Sequence, residues 1–160
     1  MKPLIRAAVF SDTHSSTALM LEAIRRFRPD VVIHLGDYER DAEKIRTEFP
    51  DIALYQVCGN CDMFPSSPVS DLVPLGSVKA FITHGHQYNV EWGDLSRLAF
   101  AAEEQGAKLA LFGHTHRAEN TDLGSVCVVN PGTAGRGREL TWASIEVYEN
   151  GAISSEILTL

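Results

Sequence analysis

Long apolar runs are missing from this sequence, and so is any excess of positive charge. No stretch approaches the roughly 18 consecutive apolar residues of a membrane span. The opening decapeptide is only briefly apolar and is broken by Arg6, so it predicts no signal peptide. Acidic residues outnumber basic ones 21 to 14, for a net charge of −7. That balance argues against a nucleic-acid partner. It leaves a phosphate-bearing small molecule open, because a bound metal reverses the local charge. Cysteine is scarce, with three residues, and an odd low count suits a reducing compartment. A cytoplasmic protein that spans no membrane is therefore expected. Repeats and linkers are absent too, and the Ser/Pro-rich stretch 65–74 reads as a loop too short to part domains. The 160 residues suit a single domain over 1–160, large enough to bury roughly 70% of its unfolded surface without disulfides.

What is present is an alternation of β-branched runs with amphipathic stretches. Strands are predicted at 4–10, 31–35, 52–57, 78–83, 108–112 and 126–129. Helices are predicted at 17–27, with Leu19, Ala23, Ile24 and Phe27 near one face, at 41–49 and at 94–105. Asp94 is expected to cap the last helix and Gly106 to end it. The tail, 141–147 and 153–158, reads as a hairpin turning at Glu149-Asn150-Gly151. The pattern is α/β, with βαβ units followed by an antiparallel addition.

Polar clusters follow five of these runs: Ser11-Asp12-Thr13-His14, Gly36-Asp37, Gly59-Asn60-Cys61-Asp62, Thr83-His84-Gly85-His86 and Gly113-His114-Thr115-His116. Singly, each reads as a turn. Together they hold five of the six histidines, with carboxylates in three clusters. His and Asp are the ligand set of borderline divalent metals. Side chains at i and i+2 of an extended loop share a side, so Asp12 and His14 can grip one ion. His114 and His116 can share one ion or serve two. Glycines beside these residues let the backbone turn and approach closely.

The order Asp-x-His, Gly-Asp, Gly-Asn-x-Asp, His-Gly-His, Gly-His-x-His resembles the calcineurin-like metallophosphoesterase superfamily. The short length and Asn130-Pro131-Gly132-Thr133 are similar to its small bacterial and archaeal phosphodiesterase branch, which is related to the eukaryotic retromer subunit that uses this fold as a scaffold. The resemblance implies a four-layer α/β/β/α sandwich of two mixed sheets flanked by helices. It implies two divalent ions, manganese by preference, with iron, zinc, cobalt or nickel as alternatives. Carried over by position, Asp12, His14, Asp37 and His116 hold one ion; Asp37, Asn60, His84 and His114 hold the other. Catalytic roles fall to Asp37, Asn60, His114 and His86, and substrate contacts to Asn60 and Arg136. The implied reaction is in-line hydrolysis of a small phosphate ester, most simply a diester, by a metal-bridging hydroxide. Homo-oligomers are compatible with the branch. The alternative is a protein-interaction scaffold that has stopped catalysing, but such a chain should have lost ligands, and all seven stand here.

Several residues have competing readings. Many family members have His after the Asn, as the presumed proton donor; here Cys61 stands there, and an ordinary thiol is a poor acid for that step. His86 is a candidate donor, or a neighbour of the substrate. Cys58 and Cys61 have redox-motif spacing, but Met63-Phe64-Pro65 is a poor helix start, so Cys58 reads as a buried strand-end residue and Cys127 as core. His34 reads as core, Tyr88 and Trp92 as loop packing in preference to stacking on a substrate base, and Arg136 and Arg138 as either phosphate contacts or solvated loop. The lack of a strong proton donor predicts faster turnover of aryl than of alkyl phosphodiesters, and a chromogenic assay with equal rates on both would contradict it.

Overall fold

The computed structural model describes residues 1–160. Two five-stranded sheets are stacked face to face. The first runs β10-β9-β1-β2-β3 and the second β4-β5-β6-β8-β7. In the first are β1 (Ile5–Phe10), β2 (Val31–His34), β3 (Ala53–Gln56), β9 (Thr141–Val147) and β10 (Ile153–Thr159). In the second are β4 (Ser70–Leu75), β5 (Val78–Thr83), β6 (Leu109–Leu111), β7 (Glu119–Asp122) and β8 (Cys127–Asn130). Helices α1 (Ala18–Phe27) and α2 (Asp41–Glu48) join strands of the first sheet, and α3 (Ser96–Glu104) lies in the second half. The α/β/β/α layering is as expected.

Three apolar clusters fill the spaces between layers, and strand alternation sorts residues among them. Along β1, Ala7 and Val9 face the inter-sheet core while Ala8 and Phe10 face α1. Along β6, Leu109 and Leu111 face inward and Ala110 faces the α3 side. Strands covered on both faces read as continuous apolar runs, which is why these were legible in sequence. On α1 the buried residues are Met20, Leu21 and Ile24, whereas Leu19 is half exposed, so the apolar face is rotated from the expected one.

Two strands fall outside the sequence prediction. β4 occupies the stretch read as loop; it is an edge strand, and Pro74 is tolerated there because one side of an edge needs no partner. β7 reads Glu-Asn-Thr-Asp with no apolar residue, and it holds the opposite edge by pairing with β8. Asp94 does not cap α3 directly: the cap position is Leu95, and the Asp94 carboxylate instead accepts from the Ser96 N–H and hydroxyl. Gly106 does end the helix: its N–H bonds Glu103 O, and Ala107 N–H bonds Ala102 O. The β9–β10 connection spans Tyr148 to Ala152, with Gly151 in the left-handed region at φ 83°.

β1, β2, β3, β5, β6 and β8 pair in parallel within their sheets. Ligand sites in α/β folds lie beyond the carboxyl ends of such strands. Their support is the inter-sheet core, where Ile33 is fully buried. Ile33→Ala should cost about 2–5 kcal/mol of stability, read from urea denaturation.

Candidate metal centre

Residues 12–14 follow β1, Asp37 follows β2, Asn60 follows β3, His84 follows β5, and His114 and His116 follow β6. Strand geometry alone thus delivers all seven candidate ligands to one end of the sandwich. Their loops are sharply bent. Asp12, His14, Asp37, His114 and His116 have φ between 46° and 70°, a region L-residues avoid, at about 1 kcal/mol or more each. The glycines keep these loops in contact with one another. A Cβ on Gly59 would overlap Asp37 Oδ1, and one on Gly113 would overlap Ser11 Oγ. Their role in the structure is therefore loop-to-loop packing.

Each of the two central carboxylates has one oxygen tied back and the other facing imidazoles. Asp12 Oδ2 accepts from Ser11 Oγ at 2.6 Å and from the His114 N–H at 3.2 Å. Its Oδ1 lies 3.2 Å from His116 Nε2 and 3.8 Å from Nε2 of both His14 and His84. Asp37 Oδ1 accepts from the Cys61 N–H at 2.9 Å, and its Oδ2 lies 3.4 Å from His84 Nε2 and 3.9 Å from His14 Nε2. His84 is fully buried; its Nδ1 lies 2.7 Å from Leu35 O, which fixes the proton there and leaves the Nε2 lone pair free.

These groups shift each other's protonation. Burial alone would raise the Asp37 carboxyl, but the His84 imidazole and the Cys61 N–H hold it well below the usual range. Burial works against a charged His84, yet Asp37 and Asp12 lift it above an ordinary imidazole. Asp12 lifts His116 likewise. Burial lowers both His86 and His114.

The donor set fits cations. Asp12 Oδ1, His14 Nε2 and His84 Nε2 are buried with no hydrogen-bond partner, a costly state for groups that bind nothing. They belong to two overlapping groups, Asp12/His14/His116 and Asp12/Asp37/His84, each with its ligand atoms within 4.8 Å of one another. Asp12 is thus common to both, while Asp37 reaches His14 of the first group and His84 of the second. Asn60 and His114 lie outside these groups and pair with each other, Asn60 Oδ1 to His114 Nδ1 at 3.1 Å. His86 stands beside them, its ring 5.6 Å from His84 and 6.1 Å from His114. Arg136 is exposed: only its backbone N–H is engaged, by Thr133 Oγ1, and its guanidinium forms no hydrogen bond or ion pair.

Other residues depart from or extend the sequence reading. Trp92 is 80% exposed and does not pack its loop, while Tyr88 does, edge-on against Phe81. Cys58 is buried, but Cys127 only half so, at the margin of the inter-sheet core. Two carboxylates were given no role of their own in sequence, although Asp62 stood in a polar cluster and Asp41 at a helix start. Asp62 accepts the N–H groups of Asp37, Glu39 and Gly59, stapling two ligand loops together. Asp41 accepts from Thr13 Oγ1 at 2.5 Å and from the Ser15 N–H. Thr13 Oγ1 also lies 3.0 Å from His34 Nε2, and His34 Nδ1 accepts from the Gly36 N–H, so His34 donates to Thr13 and Thr13 to Asp41. This relay locks the Asp12/His14 loop to the Asp37 loop.

His34 is fully buried, and burial drives its pKa below the ordinary value. A histidine whose folded pKa is depressed contributes stability above its unfolded pKa, and that contribution is lost as pH falls below it. His34→Gln should therefore flatten the acid-side loss of stability below pH ~6.5, by up to about 1.4 kcal/mol per pH unit. Denaturant titrations of both proteins across that range check this, and parallel slopes would refute it.

Comparison with known proteins identifies the family. Residues 5–149 match the sequence model of the calcineurin-like phosphoesterase superfamily domain. The probable metallophosphoesterase YsnB of Bacillus subtilis is 32% identical over 128 residues, covering 78% of this chain and 72% of that protein. Among solved structures, zinc-complexed Vps29 of Entamoeba histolytica superposes with a TM-score of 0.76 at 21% identity, over 97% of this chain and 99% of that one. A structure described as a novel archaeal phosphodiesterase superposes with a TM-score of 0.70 at 22% identity, over 96% and 100%. At those identities the superpositions speak to fold alone. Matched along most of its length by the family's sequence model and by a relative of that kind, the chain belongs to the calcineurin-like phosphoesterase superfamily.

Proposed function

We propose that this protein is a phosphodiesterase acting on a small phosphate ester with two divalent metal ions. Asp12, His14, Asp37 and His116 would hold one ion; Asp37, Asn60, His84 and His114 would hold the other. The observation that carries the reading is the convergence of buried carboxylate and imidazole atoms that have no hydrogen-bond partner within the protein. When bound, such a pair supplies Lewis acidity and a nucleophile drawn from water at neutral pH. Manganese is the preferred ion; the zinc in the Vps29 neighbour makes zinc the first alternative.

The chain's own groups set the rest. Asp37 lies between the two groups of imidazoles and keeps its charge. His84 is oriented by Leu35 O, so its lone pair faces inward without searching. Asn60 is exposed and His86 partly so, both beside His114, where they would hold phosphoryl oxygens by hydrogen bonds. The Cys61 thiol is pushed up by burial and by the neighbouring Asp37, so it does not act as an anionic base. Its backbone N–H, by contrast, steadies Asp37. Three unpaired cysteines support a cytoplasmic setting.

The test is metal content and hydrolysis of a chromogenic diester in added manganese. The wild type should bind about two ions and turn over. Asp37→Asn should lose a hundredfold or more of that activity, on the order of ~3 kcal/mol of transition-state stabilisation. Full residual activity in the variant would contradict the role of Asp37. Tight metal binding with no turnover on any ester would favour the scaffold reading that the Vps29 likeness offers.

A further inference from the structure

Beside the metal centre lies a groove of about 430 Å³, lined by Tyr38, Arg40, Cys61, Met63 and Phe64 together with two carboxylates. That volume is within the range of small-molecule sites. The carboxylates, Glu39 and Asp62, are engaged with backbone: Glu39 accepts from the Ser66 and Ser67 N–H groups, and Asp62 from three others. An occupant would therefore meet a phenol ring, a guanidinium, a thioether and a phenyl ring. Arg40 has no ion pair, and its guanidinium carbon is 5.2 Å from the Tyr38 ring centroid. Met63 is 82% and Phe64 93% exposed, and Phe64 is held at φ 52°, in the left-handed region a bulky residue seldom enters.

The groove adjoins the candidate metal centre through two of its lining residues. Tyr38 follows Asp37, and its ring meets His14 edge-on at 5.3 Å. Cys61 donates its N–H to Asp37 Oδ1. A phosphate ester seated over Asp37 thus has the groove beside it for one of its organic arms. All four free groups share a preference for π faces: aromatic rings by offset or edge contact, Met sulfur at a ring edge, Arg over a ring. An alkyl arm gains little from the guanidinium or from ring geometry.

We propose that this groove is a subsite for a flat aromatic or heteroaromatic group, such as a nucleobase, on the phosphate ester that the metal centre receives. The proposal rests on the phosphoesterase reading above. It assigns Phe64 and Met63 as specificity determinants that act on one arm of the substrate.

The test uses two phosphonates that share an anionic head and cannot be hydrolysed as esters. Calorimetric titration of the manganese-loaded protein with phenylphosphonate and with methylphosphonate gives the preference for a ring. In the wild type the phenyl compound should bind about tenfold tighter. A Met63→Ala/Phe64→Ala double variant should lose most of that preference; both side chains are exposed, so the fold should persist. Phe100→Ala, which removes an exposed aromatic ring on α3, should keep it. Equal affinity for the two compounds in the wild type overturns the subsite alone. So does a preference that survives the double variant, including the case where that variant instead changes the association state and marks the patch as a contact between copies. Failure of both compounds to bind overturns the phosphoesterase reading and the subsite with it.

Discussion

Two carboxylates, each with one oxygen anchored by donors that include a neighbouring loop's N–H and the other turned toward imidazoles, are the constraint around which this molecule is arranged. Asp12 and Asp37 are almost wholly buried. Buried charge without a counter-charge is costly, and the imidazoles around it relieve that cost only when they carry a proton or share a cation. The raised His84 and His116 and the depressed Asp37 express one demand: positive charge at this point. The left-handed backbone at five candidate ligand residues adds local strain that the surrounding structure has to hold.

The scaffold meets this demand through direction. Six strands in two sheets run with their partners and release their loops toward one end, so no candidate ligand has to reach far. The covering helices keep out of the way, and the Asp62 staple and the His34–Thr13–Asp41 relay fix loop against loop. Loops so braced resemble packed core more than surface, which suits a centre that must be in place before its ligands arrive.

Much of this was legible in the sequence because it is local. Strands covered on both faces announce themselves as apolar runs, and the polar clusters stand immediately after them. The chain order of those clusters carried the family resemblance that the later comparisons bear out. The unread parts depend on tertiary partners. Asp41 opens a helix and looks like any helix-starting acid until Thr13 and Ser15 are placed against it. β4 and β7 are edge strands, where proline and polar residues are allowed, so period and propensity gave no signal. Trp92 was misjudged because composition cannot say which side of a loop faces water.

The direction of β1 has one more consequence. It runs from Ile5 toward the ligand loops, so the chain ahead of Ile5 lies at the pole away from them. β10 runs antiparallel to β9, itself antiparallel to β1, so Leu160 emerges on the ligand side, where its N–H bonds Leu140 O. The two ends of the chain thus sit at opposite poles. An affinity handle or an immobilising surface joined at the amino terminus would present the open face of the protein outward, while one joined at the carboxyl terminus would crowd it.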